Sequence, residues 1–242
     1  MLVNSPLTLL PWTQCKQYKQ QSRTWIKRIQ VLAVLSFSVF TAVSHAESTS
    51  TPQGLEYCTV CHGAQLKGNI NIGAPRLSGL SQWYIERQLL NFKQGIRGAH
   101  HDDDRGMEMR PMVINLSAAQ IKDIAQWVAA TQSPLPEQTV TANRQAGKQL
   151  FGSCAACHGS QGKGNEAIGA PALTGLNDWY LITQLNHFRQ QIRGAHATDL
   201  YGQQMLAASA VISSDEDVEN LAAYISTLSN TEQDSTQLGE SE

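Results

Sequence analysis

The chain has 242 residues, 41% of them hydrophobic and 16% charged, with 18 lysines and arginines against 20 aspartates and glutamates and a formal charge of −2. That balance excludes the basic face a nucleic-acid partner would require, and the length suits one ordinary domain or two small ones. Small domains bury too little surface to be robust alone and often lean on disulfides, metals or cofactors.

The first element is a leader. Lys27 and Arg28 precede an apolar run from Ile29 to Val43, and Ser44-His45-Ala46 follow it. This is the charged, apolar, small-residue order of a secretory signal cut after Ala46. An uncleaved membrane anchor is the rival reading, but the run is short of the roughly 20 apolar residues a spanning helix needs and is broken by Gln30, Ser36, Ser38 and Thr41. Residues 1–46 are therefore read as a signal peptide that directs export to the periplasm. The stretch before Lys27 is long for such a signal, which suggests a translation start further downstream. The leader holds five of the 18 basic residues and none of the 20 acidic ones, leaving 13 against 20 and a formal charge of −7 for the remaining 196 residues.

Two near-copies of one stretch come next, "CTVCHGAQLKG" from Cys58 and "CAACHGSQGKG" from Cys154. They open a much longer internal repeat. An offset of 96 maps "GAPRLSGLSQWYIERQLLNFKQGIRGAH" onto "GAPALTGLNDWYLITQLNHFRQQIRGAH", and it becomes 97 after Leu116 and Ile212. The unit is domain-sized, so a whole small domain is duplicated rather than a short solenoid repeat. The domains are expected over 47–132 and 142–229. The segment 133–141, with Pro134 and Pro136, reads as a stiff, extended linker. Residues 230–242 are polar, acidic and without periodicity, as in a disordered tail.

Within each copy the periodicities are helical. Ile85, Leu89, Phe92 and Ile96, and likewise Leu181, Leu185, Phe188 and Ile192, form one apolar stripe. Ser81 and Asn177 suit the N-caps of these helices. The closing helices open on capping-box patterns, Ser117 with Gln120 and Ser213 with Glu216. Their apolar faces are Ile121, Ile124 and Val128 in one copy, and Val218, Leu221 and Ile225 in the other. "NRQAGKQLFGSCAACH" is also helix-compatible, and no convincing strand is present. The fold class is all-α, two tandem helical domains.

Cys-x-x-Cys-His is the attachment signature of c-type haem. Two cysteines three apart lie on one side of a helical turn, where both sulfurs can form thioethers to one macrocycle. The next histidine, His62 or His158, offers iron an imidazole nitrogen. Four cysteines in an exported protein would otherwise suggest two disulfides. A zinc site pairs Cys-x-x-Cys units roughly 15–20 residues apart, and a thioredoxin-like dithiol needs a βαβ context. The first copy offers Met107, Met109 and Met112 as a second axial ligand; the second offers Met205, which the repeat pairs with Met109 alone. Both methionines are expected on irregular loops. The matched pair His100 and His196 is the alternative ligand set, and core packing is the alternative role for the methionines.

Two such motifs in tandem, each with a "GAP-x-L-x-G" loop, a "WY…QL..F" helix, a late methionine and a closing helix, resemble the periplasmic diheme cytochromes of the cytochrome c4 type over residues 53–229. The resemblance implies two tandem cytochrome c-like domains, each wrapped around one covalently attached haem c. It implies cofactor attachment through Cys58, Cys61, Cys154 and Cys157, iron ligation by His62, Met109, His158 and Met205, and Pro75 and Pro171 as carbonyl partners of the histidines. Trp83, Tyr84, Trp179 and Tyr180 fall where the family lines the haem edge. Gly147 and Phe151 match the contact of the first helix with Tyr224 of the last. The first copy departs, with Thr51 and Leu55 there opposite Trp127, and Pro52 shortening the helix. Iron closed on both sides implies an electron carrier, not an enzyme. The partners implied are redox proteins such as a quinol-oxidising complex and a terminal oxidase or reductase, with no small-molecule substrate. The alternatives are the cytochrome subunit of a periplasmic dehydrogenase acting on reduced sulfur compounds, and a diheme peroxidase with one open haem.

Overall fold

The computed structural model describes residues 51–228; the leader over 1–46 and the tail over 230–242 lie outside the described residues. Among the described residues eight α-helices appear in two sets of four. The first half contains α1 (Glu56–His62), α2 (Gln82–Lys93), α3 (Asp104–Val113) and α4 (Ala118–Ala130). The second contains α5 (Arg144–His158), α6 (Asp178–Arg189), α7 (Leu200–Ser209) and α8 (Asp215–Leu228). Among the described residues there is no strand, only the isolated bridges Asn69–Ala74 and Asn165–Ala170. None of the described helices is long and apolar enough to cross a membrane.

The apolar stripes do what their spacing requires. Ile121, Ile124 and Val128 of α4 are buried, as are Val218, Leu221 and Ile225 of α8. Ile124 and Val128 pack with Ile85 of α2, and Val218, Leu221 and Ile225 with Leu181 and Leu185 of α6. A fully buried Leu or Ile contributes about 1.5–3 kcal/mol, so these two small clusters hold the halves together. Ile96 and Ile192, the last members of the expected stripes, fall beyond the ends of α2 and α6.

Three local expectations are corrected. Ser81 and Asn177 do stand at the N-caps of α2 and α6, yet neither side chain caps its helix. Asn177 Oδ1 instead accepts from the backbone N–H of Arg76 in the other half, at 2.7 Å. The capping box of α4 is formed by Ser117 and Gln120 as expected. That of α8 is not Ser213 with Glu216. Ser214 Oγ accepts from Asp217 N at 3.1 Å, and Asp217 Oδ2 accepts from the backbone N–H groups of Ser213 and Ser214. The one-residue insertion falls before the cap and moves the box along by one. Lastly, Met109 and Met205 lie on helices α3 and α7, not on loops. Asp103 and Asp199 start these helices by accepting from Gly106 N and Gly202 N at 3.0 and 2.9 Å. That cap outweighs the absence of an apolar stripe and the presence of Pro111.

The halves differ at their first helices. In the second, α5 crosses α8 closely, with Phe151 against Tyr224 at a ring separation of 5.4 Å. Gly147 permits this, since a Cβ there would stand 2.9 Å from Tyr224 Cβ and well inside contact of the Asn220 carbonyl. In the first half α1 is only seven residues long and makes no comparable crossing of α4. The segment joining the halves is extended and fastened along its length. Arg76 donates to the Ser133 Oγ and carbonyl and to the Pro134 carbonyl, and Asp178 accepts from Thr139 N, Thr139 Oγ1 and Val140 N at 2.6, 2.6 and 2.9 Å. We predict that Gly147→Ala lowers the melting temperature, with a cost at or above the 1–3 kcal/mol typical of overpacking (roughly), measured by thermal unfolding; an unchanged melting temperature would contradict this reading of the crossing.

Candidate functional site

Helix geometry brings Cys58 and Cys61 onto one side of α1, with His62 at its last position. The end of α5 presents Cys154, Cys157 and His158 in the same way. Among the described residues Cys58, Cys61, Cys154 and Cys157 are all free thiols, so neither pair forms the disulfide that exported cysteines would otherwise suggest. Burial pushes the Cys58 and Cys154 thiols above the ordinary value.

A tight loop follows each helix. Gly68 N–H returns to the His62 carbonyl at 2.8 Å, and Asn69 and Ala74 exchange backbone bonds at 2.7 and 3.1 Å. The Asn69 side chain accepts from Asn71 N. This loop delivers the Pro75 carbonyl to His62, whose Nδ1–H donates to it at 2.7 Å. Gly164, Asn165 and Ala170 repeat the construction, and His158 Nδ1 donates to the Pro171 carbonyl, also at 2.7 Å. A carbonyl can only accept, so each ring carries its proton on Nδ1 and leaves a lone pair on Nε2. Burial holds both imidazoles below the ordinary histidine value, with the carbonyl bond pulling weakly the other way. Both imidazoles are therefore neutral and fixed in orientation.

All ten candidate residues, the four cysteines, two histidines, two prolines and Met109 and Met205, line one continuous cavity of about 1060 Å³ shared by the two halves. Sites for one small ligand usually measure roughly 300–1,000 Å³, so this cavity stands at the upper end of that range. Met112 also reaches the wall, Met107 does not, and neither His100 nor His196 does. Each of those two histidines instead accepts at Nδ1 from a backbone N–H two residues on, from Asp102 and Thr198. Tyr84, Trp179 and Tyr180 lie on the wall, whereas Trp83 is off it, under the Arg87 guanidinium at 4.8 Å. Trp127, another wall residue, has its indole N–H buried without a partner. Paired thiols, an imidazole lone pair, a thioether and an orphaned donor suit a porphyrin with its iron and carboxylates.

The sequence reading missed a polar network between the halves. Arg97 donates to Gln88 Oε1 in its own half at 2.9 Å, and to Tyr180 OH and Gln184 Oε1 across the divide at 2.8 and 3.0 Å. Arg193 mirrors it, donating to Gln184 Oε1 at 2.7 Å, then to Gln88 Oε1 at 2.9 Å and Tyr84 OH at 3.4 Å across. Burial raises the Tyr84 phenol, but the charges of Arg193, Arg97 and Arg87 outweigh it and hold the group below the ordinary tyrosine value. Beside this lies His187 Nδ1, 3.7 Å from Asp103 Oδ1 of the other half. The signal was present in the repeat: identical Arg and Gln residues stand at matched positions, and Gln88 falls on the buried face of α2.

A family model described as cytochrome c matches residues 55–132 and 145–229. The chain is similar to a cytochrome c-552 of Acidithiobacillus ferridurans, 28% identical over 237 residues that span 94% of this chain and 96% of that protein. It is also similar to a thiosulfate dehydrogenase electron acceptor of Stutzerimonas stutzeri (strain A1501), 30% identical over 192 residues, 72% of this chain and 80% of that one. Among solved structures it resembles a cytochrome c4 of Acidithiobacillus ferrooxidans, with a TM-score of 0.58 and 27% identity over 71% of this chain and 99% of that chain.

The buried junction generates a pH prediction. Burial lowers the His187 value, and although Asp103 opposes the shift, Arg97, Arg193 and His100 add to it. The unfolded chain then binds a proton at about pH 6.5 that the folded chain refuses, so this contribution to stability is present above about pH 6.5 and is lost as pH falls toward the folded value. The melting temperature should decline between about pH 7 and 5, and His187→Gln should flatten that decline; an identical slope in the variant would contradict the assignment.

Proposed function

This chain belongs to the cytochrome c family, and we propose that Cys58 and Cys61 in one half, and Cys154 and Cys157 in the other, tether its cofactors through thioethers. The protein is a diheme electron carrier rather than an enzyme, and its two cofactors are covalently bound haem c. His62 and His158 would ligate iron through Nε2, and Met109 and Met205 would each offer it a thioether sulfur. Pro75 and Pro171 hold the imidazoles by their carbonyls. The observation that carries this reading is that all ten residues face one cavity, with both Nε2 lone pairs left free by the Nδ1 bonds.

The haem supplies a one-electron couple whose potential rises under histidine–methionine ligation. The chain contributes orientation, a dry wall and contact surfaces. A methionine on the cavity wall in each half would compete with peroxide or oxygen for iron, which favours a carrier over a peroxidase. The domain limits are 47–132 and 142–229, and residues 1–46 export the chain to the periplasm. The partners are redox proteins, with a quinol-oxidising membrane complex as donor and a terminal oxidase or reductase as acceptor. The relative described as a thiosulfate dehydrogenase electron acceptor favours a second reading, in which a sulfur-compound dehydrogenase is the donor.

Replacing Met109 or Met205 with Ala should each remove about half of the far-red absorbance of sulfur-ligated ferric haem, since each serves one of two irons, while mass spectrometry still finds two attached haems. A full-strength band in both variants would overturn the ligand assignment. Stopped-flow mixing with a reduced quinol-oxidising complex or with thiosulfate dehydrogenase separates the two donor readings by which reduces the protein within its catalytic cycle.

A further inference from the structure

The peptide group that joins Pro75 to Arg76 is hydrogen-bonded at both ends. Its carbonyl accepts from His62 Nδ1 at 2.7 Å. Its N–H donates to Asn177 Oδ1, also at 2.7 Å. The two partners come from opposite halves: His62 ends α1, and Asn177 stands at the start of α6. Asn177 is buried, and its side chain does not cap its own helix despite standing at the N-cap. Gly68, at φ +89°, lets the contact close, since a Cβ there would lie 2.6 Å from Arg76 N and 2.7 Å from Asn177 Oδ1. The Arg76 side chain, fastened to Ser78, Ser133 and Pro134, keeps the peptide plane from turning.

The second half has the first of these bonds without the other. His158 donates to the Pro171 carbonyl, but the N–H of Ala172 has no hydrogen-bond partner among the described residues. By the repeat, the counterpart of Asn177 is Ser81, whose side chain forms no bond to it. The molecule therefore carries its own comparison, one histidine backed by a peptide that the protein bonds on both sides and one backed by a peptide whose N–H meets no protein acceptor among the described residues.

The difference has a direction. A bond at a peptide N–H shifts electron density toward its oxygen, and chains of hydrogen bonds strengthen one another by perhaps 10–30% per bond (roughly). A stronger acceptor at Nδ1 makes the ring a better donor at Nε2, and a better donor stabilises the more highly charged ferric state. From this juxtaposition, the geometry points to Asn177 as a positioning residue for the opposite half's haem: through the Pro75–Arg76 peptide it strengthens His62 as an iron ligand and selectively lowers that haem's reduction potential. The setting of the first centre thus depends on the two halves being docked.

The inference rests on His62 being an iron ligand, and the test separates the two ideas. In the oxidised wild-type holoprotein, His62 ring protons should show hyperfine-shifted resonances; if they do not, the ligand assignment fails first. With the assignment in place, spectroelectrochemistry of Asn177→Ala should show the His62 haem rising in potential while the His158 haem stays put. The electron-distribution equilibrium between the two should change by about threefold to tenfold, less than the 10–100-fold of a lost direct partner. In the reduced protein the His62 Nδ1 proton and the Arg76 amide proton should both move upfield, with those of His158 and Ala172 unmoved. Should the alanine variant fail to assemble, Asn177→Asp keeps the shape with a stronger acceptor and should lower the first potential more than the second. A packing role would move both variants in the same direction. Equal shifts of both haems, or none, would overturn the proposal.

Discussion

Each centre depends on a histidine held by the carbonyl of a residue 13 positions further along. That bond does two things at once. It settles which ring nitrogen carries the proton, and it aims the other nitrogen into the cavity. Much of the surrounding structure serves to bring the carbonyl there: the returning glycine N–H, the bridge closed by Asn69 or Asn165, and the proline that ends the loop. The cysteines need only the helix that precedes it. Without the loop the imidazole would be free to rotate, and two adjacent thiols would be an ordinary dithiol.

Duplication then adds what neither half has alone. Arg97 and Arg193 each join a glutamine at home to a tyrosine and a glutamine across the divide, so the contact is a polar exchange related by the repeat. Half-buried guanidinium groups are best tolerated when their donors are satisfied, and here the satisfaction requires both halves. The copies are nonetheless unequal. Arg76 is replaced by Ala172, Asn177 by Ser81, and the close crossing of α5 on α8 by a short α1 that makes no comparable crossing.

The repeat, the helical class, and the cysteines, histidines and repeat-paired methionines on the cavity wall were legible in the sequence because they rest on spacing, which survives without knowledge of tertiary contacts; Pro75 and Pro171 came only with the family resemblance. The apolar faces of α4 and α8 were legible for the same reason. Where reading failed, a contact from afar decided the outcome. Met109 and Met205 looked like loop residues because α3 and α7 lack an apolar stripe; an aspartate cap starts each helix instead. Ser214 rather than Ser213 caps α8, since the inserted residue lies just ahead of it. Asn177 has the composition of a helix cap, and only the approach of Arg76 from the other half reveals its different partner. The arginine–glutamine pairs were visible as matched letters, but their meaning is a cross-half pairing that periodicity does not encode.

Asp178 sits next to Asn177 and, with its carboxylate wholly buried, grips Thr139 and Val140 of the connecting segment. The connector is thereby a brace instead of a tether. Peeling the connector from the second half would strip three donors from a buried charged group, a penalty of several kcal/mol (roughly), and swinging the halves apart would break the cross-half bonds of Asn177, Arg97 and Arg193. Electrons passing between the two centres would therefore cross a gap of constant width, at a rhythm set by driving force and not by waiting for a joint to close.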